Sequence, residues 1–125
     1  MKILIVDDSA TDRTILARAL QKAFSEIEVI TAEDGQVGLD ILGKQSQEIG
    51  VILLDWEMPK VDGLEFMRLI RKQPALAPIP VIMVSSAWAE EQREIVWLIN
   101  PNLAAYFIKP VDLEALIEKV KTYIK

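Results

Sequence analysis

The sequence predicts an α/β protein built on a doubly wound, five-stranded parallel sheet with helices on both faces. Three short and nearly unbroken apolar runs, at residues 3–6, 51–54 and 79–84, have the pattern of parallel strands covered by helices. Helical periodicity lies between these runs, and turn residues separate the elements. Because strand and helix patterns alternate from end to end, we expect a three-layer sandwich with right-handed crossovers.

Two weaker strand patterns complete the predicted sheet. Residues 27–31 carry Glu28 inside an apolar run, and residues 104–108 combine small and aromatic side chains. A central strand that is covered on both faces has little place for a charge. We therefore expect both segments at the edges of the sheet.

Five helical patterns connect the strands. In the first, Leu16, Leu20 and Phe24 recur every four residues. In the last, residues 113–124 carry an apolar stripe at spacings i, i+3, i+4 and i+7, and Asp112 precedes it as a candidate N-cap. The three remaining helices are predicted near residues 34–46, 64–72 and 89–99.

The fourth predicted helix has an unusual apolar end. At about 100° per residue, Ile95, Leu98 and Ile99 share one face, which we expect to be buried. Val96 and Trp97 then lie on the opposite side, and an exposed Trp beside Val predicts a partner or dimer surface. The alternative is that an overlying loop covers both side chains.

Composition limits the chemistry that this chain can perform. The 125 residues, 51% of them hydrophobic, suit one domain over 1–125 with a sizeable core. The absence of cysteine and histidine excludes thiolate sites, imidazole ligands and Ser-His-Asp triads. Any reaction must use carboxylates, hydroxyls, lysines or the backbone.

Charge and hydropathy indicate where the protein works. A net charge of −5 and a pI near 4.8 argue against a nucleic-acid-binding protein, which needs Lys and Arg to neutralise phosphates. No apolar run approaches the roughly 20 residues of a membrane span, and the start of the chain lacks the pattern of a signal peptide. We expect a soluble, cytoplasmic protein.

Polar residues follow the predicted strands at the edge where ligands bind in such sheets. Two carboxylates about 5 Å apart repel by roughly 3 kcal/mol at an effective dielectric of 20, so a cluster of acids requires a cation. Oxygen ligands without nitrogen or sulfur suit Mg²⁺, and a central carboxylate can act as the nucleophile towards a phosphoryl group. The strand-end residues are Asp7-Asp8, Asp55, Ser85-Ser86 and Lys109-Pro110.

Structural roles are the alternatives for the same residues. Asp7 and Asp8 suit a helix N-terminus, and Asp55 could be an ordinary turn residue before a proline. Either Ser85 or Ser86 could satisfy a strand end. Lys109 could be an ordinary surface lysine, because most lysines lie at the surface.

Taken together and in this order, the motifs resemble the receiver domain of two-component response regulators, of the stand-alone chemotaxis type. The resemblance covers nearly the whole chain and implies a flavodoxin-like fold with strand order 2-1-3-4-5. It rests on Asp7-Asp8, on Asp55-Trp56-Glu57-Met58-Pro59 followed by Asp62-Gly63, on Ser85 and on Lys109-Pro110.

The resemblance also implies the metal and acceptor roles. Asp55 would accept a phosphoryl group from the phosphohistidine of a kinase. Asp8, Asp55 and the backbone carbonyl of Glu57 would ligate Mg²⁺, and Asp7 would act directly or through the water shell of the metal.

Further roles follow from the same resemblance. Ser85 and Lys109 would contact phosphoryl oxygens, and Tyr106 would be the aromatic switch that moves inward after Ser85. Receivers typically hold the Lys109-Pro110 bond cis. Trp56 and Trp88 are expected to flank the site and to shield it from water.

The implied function is a signalling switch that phosphorylates and dephosphorylates itself but acts on no separate metabolite. Its partners would be a histidine kinase or a histidine phosphotransfer protein, and a downstream target or a second copy bound through the helix 4, strand 5, helix 5 face. Neither nucleic acid nor membrane is an expected partner. Alternatives are an interaction module that is never phosphorylated and a Mg²⁺-dependent phosphohydrolase with an aspartate nucleophile.

Three features depart from the common family pattern. Glu57 is acidic, and it has the spacing of the second acid in such phosphohydrolases, although the chain has no room for their cap domain. Ser85 stands where threonine is commoner. Residues 99–103 replace a short glycine-alanine turn, so the surface between helix 4 and strand 5 is the least transferable part.

Overall fold

The computed structural model describes residues 1–86 and 90–124 and confirms the predicted fold class. A single five-stranded sheet, parallel throughout, has the order β2-β1-β3-β4-β5. The strands are β1 (Lys2–Val6), β2 (Glu28–Ala32), β3 (Ile49–Leu54), β4 (Val81–Ser85) and β5 (Ala105–Ile108). The helices are α1 (Ala10–Ala23), α2 (Gly35–Gln45), α3 (Gly63–Arg71), α4 (Glu90–Ile99) and α5 (Leu113–Lys121), with a 3₁₀ turn at Ser46–Glu48.

The sheet separates two apolar clusters. Side chains alternate between the faces of a strand, so Ile3 and Ile5 of β1 pack with α1 and α5. Leu4 and Val6 pack with α2, α3 and α4 on the other face. The two strands predicted at the edges, β2 and β5, are the edge strands. Both faces of the central strands are therefore apolar, and the buried acids Asp7 and Asp55 lie just past the ends of β1 and β3.

Four helices begin with a side-chain cap. Each capping oxygen accepts a hydrogen bond from the backbone N–H three residues later, at 2.9–3.2 Å, which satisfies one of the free donors of the first turn. The predicted Asp112 cap is confirmed. The caps are Ser9 for α1, Asp34 for α2, Asp62 for α3 and Asp112 for α5.

The first and last helices are shorter than their apolar stripes predict. Phe24 is the C-cap of α1, and its N–H donates to the carbonyl of Leu20 at 2.8 Å. The last helix ends at Lys121, yet Ile124 beyond it still packs against the core. An apolar residue just past a helix end can continue its buried stripe without being helical.

The predicted orientation of α4 is wrong. Val96, expected to be exposed, is fully buried, whereas Ile95 and Leu98, expected to be buried, are 41% and 79% exposed. Trp97 is 40% exposed, as expected. Because residues 95–99 are all apolar, the sequence does not show which side of the helix is buried. In the structure, the side that carries Val96 and the partly buried Ile99 packs against the core.

The unusual segment after α4 is organised by Asn100. This residue is only 6% exposed, and its N–H donates to the carbonyl of Val96 at 2.9 Å. Its side-chain oxygen accepts from Arg71 at 3.1 Å and from the N–H of Asn102 at 3.2 Å. Because Arg71 ends α3, these bonds attach the end of α4 to its neighbouring helix before Leu103 enters the core.

Candidate functional site

Backbone hydrogen bonds extend the sheet by one residue and bring three charged residues together at its carboxyl edge. The N–H groups of Asp7, Asp55 and Lys109 each donate to a carbonyl of the adjacent strand, at 3.1, 2.9 and 2.9 Å. Each side chain is thus positioned by the sheet rather than by a free loop. The strands converge on the site as the strand-end rule predicts.

Three carboxylates form a cluster that could hold a metal ion. Asp7, Asp8 and Asp55 each offer an oxygen, and these oxygens lie within 4.8 Å of one another. Asp7 is 2% and Asp55 6% exposed, whereas Asp8 opens to solvent. An all-oxygen set that is partly open to water fits Mg²⁺, which uses one or two carboxylates and retains several waters.

The ammonium group of Lys109 lies among three carboxylates. Its Nζ is 2.8 Å from Asp7 Oδ2, 2.8 Å from Asp12 Oδ2 and 3.4 Å from Asp55 Oδ2. Its side chain is only 16% exposed. The ammonium therefore offsets part of the repulsion among the acids, and it can reach a group attached to Asp55.

The two central charges have shifted proton affinities. Burial, and then the negative charge of Asp7, raise the pKa of Asp55, against the opposing effects of Lys109 and of hydrogen bonds from Ser85 and Trp56. Burial alone would lower the pKa of Lys109, but hydrogen bonds to Asp12 and Asp7 raise it. Lys109 is therefore a permanent cation, beside a carboxylate that ionises less readily than usual.

Asp55 is held by donors as well as by the lysine. Its Oδ1 accepts the N–H of Trp56 at 2.7 Å, and Ser85 lies close enough to lower the pKa of this carboxyl. Ser85 is 1% exposed, whereas Ser86 lies at the surface. Of the two serines, Ser85 is thus the one at the acceptor. Trp88, the other predicted flanking tryptophan, lies outside the described residues.

The loop from β3 to α3 is fixed against the acceptor by a glycine. The N–H of Gly63 donates to the carbonyl of Trp56 at 2.7 Å. A Cβ at this position would lie 2.3 Å from the carbonyl oxygen of Asp55, far inside van der Waals contact. Only glycine allows α3 to begin so close to the backbone of the acceptor.

The same loop contains a strained turn. The N–H of Val61 donates to the carbonyl of Pro59 at 2.8 Å, and Lys60 between them has φ 68, which matches a γ-turn with a positive central φ. The Lys60 ammonium lies 3.5 Å from Asp34 Oδ2. This ion pair connects the loop to the capping residue of α2.

The remaining predicted site residues lie around this centre. Tyr106 of β5 is half-buried and packs on the face of the sheet that carries Met83 and therefore also Ser85. Glu57 has an exposed side chain outside the carboxylate cluster. The Lys109-Pro110 bond is cis.

Sequence reasoning missed Asp12. It was overlooked because it belongs to the first turn of α1 rather than to a strand end. The sequence signal was weak: Asp12 lies in the first turn of the helix that follows the first strand, and whether its side chain faces Lys109 depends on the rotation of that helix. Among the described residues, Lys109 thus contacts the carboxylates of Asp7, Asp12 and Asp55, and Asp8 completes the acidic cluster.

Comparison with known proteins agrees with this geometry. The profile of the response regulator receiver domain matches residues 3–121. A chemotaxis protein CheY homolog of Campylobacter jejuni is 31% identical over 121 residues, which cover 97% of this chain and 90% of the relative.

Solved structures give the same result. A response regulator receiver protein from Pseudomonas putida superposes with a TM-score of 0.87 at 29% identity, covering 97% of this chain and 95% of that one. The phosphorylated cyanobacterial phytochrome response regulator RcpA superposes with a TM-score of 0.80 at 28% identity, covering 97% of this chain and 89% of that one. With its acidic cluster and central lysine at the carboxyl edge of this sheet, the chain belongs to the family of response regulator receiver domains.

Proposed function

We propose that this receiver is a phosphoacceptor switch in which Asp55 takes a phosphoryl group from a phosphohistidine. The observation that carries the proposal is a buried carboxylate with an ammonium, a hydroxyl and two further carboxylates within reach. One of the similar solved structures is described as phosphorylated. The donor would be a histidine kinase or a histidine phosphotransfer protein.

The reaction would be a direct transfer. A carboxylate oxygen of Asp55 attacks the phosphorus, the phosphorus–nitrogen bond breaks, and its electron pair returns to the imidazole, which takes up a proton. Negative charge on the equatorial oxygens is stabilised by the ammonium of Lys109 and by the hydroxyl of Ser85. Hydrolysis by water would later restore the carboxylate.

The metal in this proposal is Mg²⁺. Asp7, Asp8, Asp55 and the backbone carbonyl of Glu57 would hold it, with Asp7 acting directly or through water. When bound, the ion would supply positive charge to the phosphoryl oxygens and offset repulsion among the acids. The open position of Asp8 would leave room for the waters that Mg²⁺ retains.

The output would be altered binding rather than turnover of a metabolite. Ser85 would move towards the phosphoryl group, and Tyr106 on the same face of the sheet would follow it inward. A bias of a few kcal/mol between two conformations is enough to change partner affinity. The surface of α4, β5 and α5 exposes Leu98 and Ile108 and would bind a downstream target or a second copy.

The setting proposed for this switch is the cytoplasm. Within the described ranges, no helix has both the length and the apolarity that a bilayer crossing requires. The net charge of −5 disfavours nucleic acid as a partner. A protein partner is therefore the expected recipient of the signal.

Mass spectrometry after incubation with acetyl phosphate and Mg²⁺ tests the proposal. One phosphoryl adduct per chain is expected in the wild type and none in Asp55→Asn. Asp112→Asn is the matched control, because it removes an acid that caps α5 and is not part of the carboxylate cluster, and it should retain the adduct. An unmodified wild-type protein would instead indicate an interaction module, and many turnovers of a simple phosphomonoester would indicate a phosphohydrolase.

A further inference from the structure

Asp12 makes a contact that the proposed transfer does not require. Its Oδ2 lies 2.8 Å from Lys109 Nζ, as close as Asp7 Oδ2. Asp55 Oδ2, the group beside which the lysine would have to act, is 3.4 Å away. In the unmodified protein the ammonium is thus bound more closely by α1 and β1 than by the acceptor.

Helix capping does not account for this contact. Ser9 caps α1 and accepts the N–H of Asp12 at 3.2 Å. A carboxylate in a first turn interacts favourably with the helix dipole wherever it points. Asp12 nevertheless extends to Lys109, a residue 97 positions away in the chain.

The contact is also one that can be broken. The Asp12 side chain is 35% exposed, whereas that of Asp7 is 2% exposed, and Asp7 is held further by the N–H of Ser9. Asp12 and Lys109 line a groove of about 140 Å³ beside Leu16 and Pro110. Asp12 therefore has space and solvent into which its carboxylate can rotate when Lys109 turns to another anion.

We propose that Asp12 is a positioning residue that holds the Lys109 ammonium towards α1 and competes for it with a phosphoryl group on Asp55. The inference rests on the proposed function, which supplies the competing anion. The Asp12 carboxylate would also repel that anion across the lysine. The unmodified state is therefore stabilised by a contact that modification must weaken.

Beryllium fluoride with Mg²⁺ is the probe, because it forms an anionic adduct on a carboxylate without covalent transfer. Its affinity is measured by calorimetry for the wild type, for Asp12→Asn and for a control, Glu114→Gln. The control removes an acid from the first turn of α5, so it reproduces the loss of a helix-dipole interaction. We expect Asp12→Asn to bind about two- to fivefold more tightly, the scale of a partly exposed ion pair, and the control to match the wild type.

The outcomes separate the inference from the proposed function. If the wild type binds and Asp12→Asn binds with equal or lower affinity, the inference is overturned while the phosphoacceptor role stands. If none of the three proteins binds, the proposed function fails and the inference with it. A gain in affinity that shrinks at high salt would support the competition, because salt screens a charge effect at this partly exposed position.

A measurement without metal tests the contact itself. Urea midpoints are compared in EDTA for Asp12→Asn in the wild-type background and in a Lys109→Met background. We expect the substitution to lower the midpoint only where the lysine is present. Equal shifts in both backgrounds would mean that Asp12 serves only its helix, which would overturn the inference.

Discussion

Replacing Gly63 by alanine should damage this protein, whereas the same replacement at Gly43 should stabilise it. A Cβ at Gly63 would lie 2.3 Å from the carbonyl oxygen of Asp55 and 2.9 Å from the Cα of Trp56. Both obstacles are backbone atoms, which cannot rotate away as a side chain can. A Cβ at Gly43 would meet nothing within 4 Å.

The magnitudes follow from these distances. Overpacking typically costs about 1–3 kcal/mol, and a clash with two backbone groups places Gly63→Ala at or above about 3 kcal/mol. Gly43 lies inside α2, where alanine is favoured over glycine by about 0.5–1 kcal/mol. The same added methyl group should thus change stability in opposite directions at the two positions.

Urea unfolding measures both changes. With a slope of about 1.5 kcal/mol per molar for a domain of this size, the midpoint of Gly63→Ala should fall by about 2 M and that of Gly43→Ala should rise by about 0.5 M. Because the clash is with Asp55 itself, Gly63→Ala should also bind beryllium fluoride more weakly under conditions in which it remains folded. A Gly63→Ala protein as stable as the wild type would refute the proposed close approach of α3 to the acceptor.

Three further predictions concern charge and backbone conformation. Burial and Asp7 raise the pKa of Asp55 in the folded protein, so the ionised carboxylate opposes folding. Asp55→Asn should therefore be at least as stable as the wild type in metal-free urea unfolding at pH 7. Any gain in stability should vanish below pH 3.8, the ordinary pKa of this carboxyl, because it is then protonated in both the folded and the unfolded protein. Lys60→Gly should raise the free energy of unfolding by up to about 1 kcal/mol, and the urea midpoint with it, because it relieves the positive φ while losing an ion pair in which the Lys60 ammonium is exposed and Asp34 is buried. A clear loss of stability would mean that the pair to Asp34 matters more than the strain. Millimolar Mg²⁺ should raise the melting temperature of the wild type more than that of Asp8→Ala, and equal shifts would argue against Asp8 as a ligand.

The sequence was enough to predict which strand-end residues would lie together at the carboxyl edge of the sheet. A parallel sheet gathers such ends at one edge whatever the details of packing, so Asp7, Asp55 and Lys109 could be placed together without coordinates. Asp12 could not, because its contact depends on how far α1 rotates about its axis. The wrong orientation predicted for α4 has the same cause, the rotation of a helix about its axis. The residues around Val96 are all apolar, so the sequence does not show which of them face the sheet.

The ion pairs of Lys109 join residues that are far apart in the sequence and are therefore synthesised at different times. The lysine follows Asp7, Asp12 and Asp55 by 102, 97 and 54 positions. During translation the acids therefore leave the ribosome well before the cation that neutralises them. Any early intermediate that pairs β1 with β3 concentrates negative charge without its counterion, so docking of the last strand ends an electrostatic penalty as well as completing the sheet.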